Sequence, residues 1–174
     1  AGRAVDVVLP VAPQGLPADA GKAWAAWSAS GGSSIDRIPP RPYALAIDAL
    51  FGIGLKREIT GTYAELIGQI NALSCPILAL DIPSGLDSET GQCRGACIRA
   101  THTLTFIALK PGLLTLDGPD HCGKIAVDDL GLGAEAVDGQ WVDRSLFQSR
   151  LSPRPHNSHC LLYTSDAADD TPCV

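Results

Sequence analysis

Short apolar runs recur along the chain, separated by stretches with helical spacing. Val5-Asp-Val-Val-Leu9, Tyr43-Ala-Leu-Ala-Ile47, Pro76-Ile-Leu-Ala-Leu80 and Thr103-Leu-Thr-Phe-Ile-Ala-Leu109 have strand length, and Lys124-Ile-Ala-Val127 reads as a fifth strand. Their near-continuous apolarity predicts strands buried on both faces. Residues 62–73 place Tyr63, Leu66, Ile67, Ile70 and Leu73 on one stripe, with Thr62 and Glu65 at capping-box spacing. A second helix is predicted over residues 20–29, with Asp19 as N-cap and Trp24 and Trp27 as packing residues. Strands alternating with helices in this way predict a three-layer α/β/α parallel sheet, Rossmann-like in class. No internal repeat is visible.

Composition narrows the classes of function. The 174 residues are about one domain's length, and with 45% hydrophobic and 18% charged residues they can build a sizeable core. The net charge of −6 and the lack of any basic run argue against nucleic acid and against an anionic membrane surface as partners. Neither a membrane-spanning run nor a secretory signal is seen, so the cytoplasm is the default. The absent initiator Met and the abrupt strand-like start lead us to expect a true N-terminus further upstream. The six cysteines lack the paired spacing of a zinc site or a disulfide framework, and read as ordinary reduced thiols. The cluster His156, His159 and Cys160 lies in a Pro/Ser-rich tail and is not read as a metal site.

Ligands of open α/β sheets sit beyond the carboxyl ends of the strands. Two aspartates fall there, Asp48 after the second run and Asp81 after the third. On neighbouring strands both would open onto one crevice, where paired carboxylates can bind a cation or move protons; otherwise each caps a loop or a helix. Gly52-Ile53-Gly54 is either a turn or a concavity of backbone N–H groups for an anion, with Lys56 and Arg57 following as cations for a phosphate. Pro83-Ser84-Gly85 predicts a tight turn that presents hard oxygen donors, suited to an alkali or alkaline-earth ion. Lys110-Pro111-Gly112 ends the fourth strand at the same edge and reads first as a turn with a solvated lysine. Asp117-Gly118-Pro119-Asp120 is likewise a turn-former.

Together, Asp48-Ala-Leu-Phe-Gly-Ile-Gly-Leu-Lys-Arg57, Asp81-Ile-Pro-Ser-Gly-Leu-Asp87, Thr105-Phe-Ile-Ala-Leu-Lys-Pro-Gly-Leu113 and Asp117-Gly-Pro-Asp120 resemble the NAD(P)H-hydrate epimerase family, the YjeF N-terminal domain. The resemblance covers residues 3–135. It implies a Rossmann-like fold and an isomerase that interconverts the R and S forms of hydrated NADH and NADPH, a metabolite-repair activity. It also implies that Asp48 and Ser84 bind a potassium ion. Gly52, Ile53, Gly54, Leu55, Lys56, Arg57 and Glu58 fall on the family's substrate-binding loop, and Asp81 on a substrate-contacting carboxylate, to which we assign the proton transfer. The small-molecule substrate is the implied partner, and a homo-oligomer is left open.

Members of that family carry an upstream first strand and an Asn-Asn-Gly-Gly-Asp-Gly-like loop with no counterpart in this sequence. A sheet lacking its first strand and loop, poorly stable and inactive by itself, is therefore expected over residues 1–143. Residues 144–159 resemble the linker toward an ADP- or ATP-dependent NAD(P)H-hydrate dehydratase domain, so the parent protein is expected to be bifunctional, a lyase as well. Residues 160–174 resemble a translated library adapter and are read as an artefact. A non-catalytic nucleotide-binding or scaffold module of the same fold is the alternative, which retention of Asp48, Asp81 and Ser84 disfavours. A nicotinamide-dependent dehydrogenase lacks its complete glycine fingerprint here.

Overall fold

The computed structural model describes residues 4–10, 16–132, 142 and 144–148. Among the described residues, six short strands and four α-helices follow one another as β1 (Val7–Val8), α1 (Ala18–Ala29), β2 (Ser34–Ile35), β3 (Ala46–Asp48), α2 (Gly61–Asn71), β4 (Ile77–Leu80), β5 (His102–Phe106), α3 (Gly118–Cys122), β6 (Lys124–Asp128) and α4 (Arg144–Phe147), with a 3-10 turn over Pro111–Leu113. Every predicted strand is present, though the second and fourth runs pair over different bounds from those expected. The named strands all pair in parallel: β3-β4-β5-β6 form one sheet and β1-β2 a separate pair. This is an α/β, Rossmann-like arrangement. The chain divides into one compact unit over Ala1–Ala134 and another over Glu135–Val174.

The register puts Ala46, Asp48, Ile77, Ala79 and Thr103 on one face of the larger sheet. That face is covered: Ile67 of α2 joins Ile59, Ile77, Ala79, Ile98 and Ala100 in a core against which Leu50, Leu55 and Tyr63 pack. Phe51 meets Tyr63 edge to face at 4.8 Å. A second cluster of Ile82, Leu86, Cys97, Leu113 and Cys122 lies beneath the loops that follow β4 and β5.

The expectation of strands buried on both faces fails on the opposite side. Leu45 and Ile47 are 47% and 58% exposed there, and an apolar groove of 330 Å³ runs over Leu45, Leu78 and Leu104. Among the described residues α1 buries no side chain, so it contributes no layer to that face. Trp24 and Trp27 contact each other edge to face at 5.1 Å instead of entering a core. An apolar run therefore marked a strand without fixing how many of its faces are covered.

Both helix starts differ from the spacing-based expectation. Thr60, two residues earlier than the expected cap Thr62, is the N-cap of α2, and it makes no side-chain capping bond. Pro17 precedes α1, which places Asp19 inside its first turn, where the carboxylate meets the positive end of the helix. Residues 144–148, within the expected linker, include the short exposed helix α4. The candidate cluster His156, His159 and Cys160, and the segment read as an adapter artefact, lie outside the described residues.

Candidate functional site

β3 and β4 pair in parallel, so their carboxyl ends emerge side by side and carry Asp48 and Asp81. The two aspartates meet different surroundings. Asp48 is 1% exposed. Its Oδ1 accepts from Ser84 Oγ at 2.6 Å and from the Leu50 amide at 3.2 Å, and its Oδ2 accepts from the Ser84 amide at 2.8 Å. Burial pushes its pKa up, and the bonds from Ser84 and Leu50 oppose that rise. Asp48 thus does not open onto a crevice; it closes the loop after β3 onto the loop after β4.

Ser84 is held from several directions. The Phe51 amide donates to its Oγ at 2.9 Å and the Ile98 amide donates to its carbonyl at 2.9 Å. The expected turn is present, with the Leu86 amide donating to Pro83 O at 3.0 Å. Gly85 has φ 100°, and a Cβ there would lie 2.1 Å from Ala96 O, so no other residue fits.

Asp81 adopts φ 71°, a left-handed conformation that Asp tolerates better than most residues. Its backbone amide donates to Leu104 O at 2.7 Å, which fixes the turn. The side chain is about one-fifth exposed: Oδ1 lies 2.7 Å from Lys110 Nζ, and Oδ2 accepts from the Ile53 amide at 3.3 Å. Lys110 is not solvated, as the sequence suggested. Its side chain is 17% exposed, and Nζ also donates to Thr105 Oγ1 at 2.8 Å and to Phe106 O at 2.7 Å. The chain turns back after β5 through Ile107, whose φ of 69° is unusual for a β-branched residue. Lys110 and Thr105 are the site residues that sequence reasoning passed over. Their signal was the placement of Lys110-Pro111-Gly112 at the same sheet edge as Asp81.

The loop after β3 forms an open groove of 490 Å³ lined by Leu50, Phe51, Gly52, Gly54, Leu55, Lys56 and Arg57. Of the residues expected in a substrate loop, Gly52, Gly54, Leu55, Lys56 and Arg57 line it. Ile53 is 61% exposed and reaches Asp81 through its amide, and Glu58 is exposed without lining the groove. Leu55 also packs into the core, anchoring the far end of the loop. The two glycines differ: a Cβ on Gly52 would lie 3.0 Å from Asp81 Oδ2, whereas one on Gly54 would meet open space.

Asp48 and Ser84 offer only oxygen, the donor chemistry of a hard cation. They spend those oxygens on each other, and among the described residues no buried side-chain oxygen lacks a partner. The donor type therefore suits an alkali ion, and in this arrangement the two residues direct those oxygens at each other.

No helix among the described residues is long and apolar enough to cross a membrane. Residues 1–112 match the family model described as YjeF-related protein N-terminus. The chain is 38% identical over 178 residues to a bifunctional NAD(P)H-hydrate repair enzyme of Leishmania braziliensis, an alignment covering 92% of this chain and 32% of the relative. It is 45% identical over 134 residues to an NAD(P)H-hydrate epimerase of Achromobacter xylosoxidans, covering 75% and 64%. Against the NAD(P)H-hydrate epimerase of Bordetella pertussis it is 44% identical over 144 residues, covering 78% and 63%. The chain spans about a third of the bifunctional relative and just under two thirds of the single-activity ones. A family match over residues 1–112, most of its length, means that this chain belongs to the YjeF-related N-terminal family.

Proposed function

We propose that the chain is the epimerase part of an NAD(P)H-hydrate repair enzyme, acting on the R and S forms of hydrated NADH and NADPH. The observation that carries the proposal is Asp81, a partly exposed carboxylate at the carboxyl end of the sheet, aimed by Lys110 Nζ at 2.7 Å and bordering a groove with two cationic side chains. The names of the aligned relatives support the substrate class.

The reacting carbon of such a hydrate carries a hydroxyl next to the ring nitrogen. As the C–O bond breaks, the nitrogen lone pair forms a C=N bond, and the departing hydroxide takes the proton held by the Asp81–Lys110 pair, passed on through the Asp81 carboxylate, and leaves as water. Water then adds to the other face and returns that proton through Asp81 to the pair, so atoms and charge balance. Lys110 and the Ile53 amide orient Asp81 for both transfers. Lys56 and Arg57 supply charge for the phosphates of the dinucleotide.

A potassium ion at Asp48 and Ser84 belongs to this reading as well. The ion would replace the Ser84–Asp48 hydrogen bond and neutralise a carboxylate that burial disfavours when charged. The spacing of the six cysteines carries no disulfide framework, which supports a reducing compartment, the cytoplasm. Among the described residues β3 lies at the edge of its sheet and β1-β2 stands apart from it, which supports an additional central strand contributed from upstream. Relatives that are bifunctional support a dehydratase domain in the parent protein.

The test compares the 174-residue chain with a version extended upstream through a first strand and loop taken from an aligned relative. Interconversion of purified R and S hydrates is followed by chromatography. The extended chain is expected to epimerise and the shorter one not to, and Asp81→Asn in the extended chain should lower turnover by about 100-fold or more. A cooperative melt with full turnover from the 174-residue chain overturns the need for the upstream segment. Unchanged turnover and binding in the Asp81→Asn variant overturn its proton role.

A further inference from the structure

Three side chains far apart in the sequence converge outside the proposed substrate groove. Cys93 and Cys97 lie in the segment after the Ser84 turn, and His121 lies on α3. The two Sγ atoms and a ring nitrogen of His121 all fall within 4.8 Å of one another. The spacing of the cysteines gave no sign of this, because the third donor lies beyond the next strand.

The arrangement has more than proximity. His121 Nδ1 sits 2.8 Å from Ile98 O. A carbonyl can only accept, so Nδ1 carries the hydrogen, and in the neutral ring Nε2 is left with its lone pair. That lone pair lies 3.5 Å from Cys93 Sγ. A backbone carbonyl that fixes the tautomer and ring orientation of a histidine is the usual outer support of a metal-ligating imidazole. With zinc–sulfur and zinc–nitrogen bonds of about 2.3 and 2.0 Å, two ligand atoms of a tetrahedral site stand about 3.6 Å apart, close to the 3.5 Å between His121 Nε2 and Cys93 Sγ. Cys97 and His121 are buried, while Cys93 is half-buried, leaving one approach from solvent.

We infer that Cys93, Cys97 and His121 form a zinc site with three protein ligands and a fourth position open to water. Two thiols and an imidazole are a soft donor set that selects Zn(II) over potassium or magnesium. Such an ion would tie the 93–97 segment to α3. Ile98, next to Cys97, donates to the Ser84 carbonyl, so the site braces the Ser84 turn from behind and plays a structural part.

The experiment titrates the reduced, metal-free full chain with Co(II) and then Zn(II). Expected are one equivalent of Co(II) with thiolate charge-transfer absorption and the visible bands of a four-coordinate ion, its displacement by Zn(II), and a melting temperature raised by Zn(II). Cys93→Ser, a half-buried change that should leave the metal-free melt unaltered, should weaken binding by about tenfold or more and abolish the zinc-dependent rise. His121→Asn should do the same. A variant with His156, His159 and Cys160 replaced should keep the full signal. The inference is overturned by absent thiolate absorption, by Cys93→Ser binding like the parent, or by loss of the signal only when the tail residues are replaced.

Discussion

The loops that leave β3 and β4 begin with the same residue type, at the same edge and on paired strands, yet they differ in what they are built for. The first aspartate is 1% exposed and spends both oxygens on the neighbouring loop. The second is partly exposed, sits at φ 71° and is held by a lysine. The difference shows that position at a strand end selects candidates for chemistry, while partners decide which of them is free to act. A carboxylate consumed by three hydrogen bonds holds two loops in place; one aimed by a cation beside a groove can meet a substrate.

The sharpest way to break this contrast is to remove the buried member. Asp48→Ala leaves the amides of Ser84 and Leu50 without their acceptor and should cost about 3 kcal/mol, lowering the melting temperature by roughly 10 °C. A urea or thermal melt within error of the parent would show that Asp48 does not hold the loops.

Next in size is Lys110→Met, which keeps the stem but leaves the Asp81 carboxylate without its cation. In the upstream-extended chain, turnover should fall about tenfold while stability drops by about 1–2 kcal/mol, since the pair is only partly buried. Equal turnover in parent and variant would remove Lys110 from the site.

The two loops should also part company with pH. Burial raises the pKa of Asp48 above 3.8, so its charged form costs stability that is recovered as pH falls through the raised value toward 3.8. Asp87, bonded by the Thr90 amide and by Arg94 Nε at 2.7 Å, is shifted the other way. Its contribution is present above 3.8 and is lost as pH falls below that value. Urea midpoints of the parent and of Asp48→Asn, taken from pH 7 down to pH 4, should converge in a way that reflects only Asp48. Parallel curves would contradict the raised pKa.

The smallest effect compares the two loop glycines. In the upstream-extended chain, Gly52→Ala places a methyl 3.0 Å from Asp81 Oδ2 and should raise KM roughly threefold by shifting the carboxylate. Gly54→Ala meets open space and should leave both kinetics and stability within about 0.5 kcal/mol of the parent. Equal behaviour of the two would mean that the contact with Asp81 does not matter.

The strands, and the two aspartates at their ends, were legible because a buried strand needs a local apolar run and a parallel sheet puts strand ends together. What stayed hidden depends on contacts between distant segments. Lys110 looked like a turn lysine until Asp81, Thr105 and Phe106 O were placed around it. Cys93 and Cys97 looked unpaired until α3 brought His121 beside them. The capping box failed because Thr62 and Glu65 describe one start, whereas the chain enters α2 after Thr60. The exposed face of the larger sheet was invisible for a related reason: a run of Leu and Ile reports what a strand can bury, not what arrives to cover it.

The bond between Asp48 and Ser84 joins residues 36 positions apart, and the one between Asp81 and Ile53 joins residues 28 apart. Neither can form until β3 and β4 have found each other in parallel, a pairing that requires an intervening crossover and is slow for that reason. Nothing in this region can be preassembled by a hairpin or a single helix. During refolding, the pocket and the topology that supports it should appear in the same kinetic phase, so that a ligand added early would find no partially built site to capture.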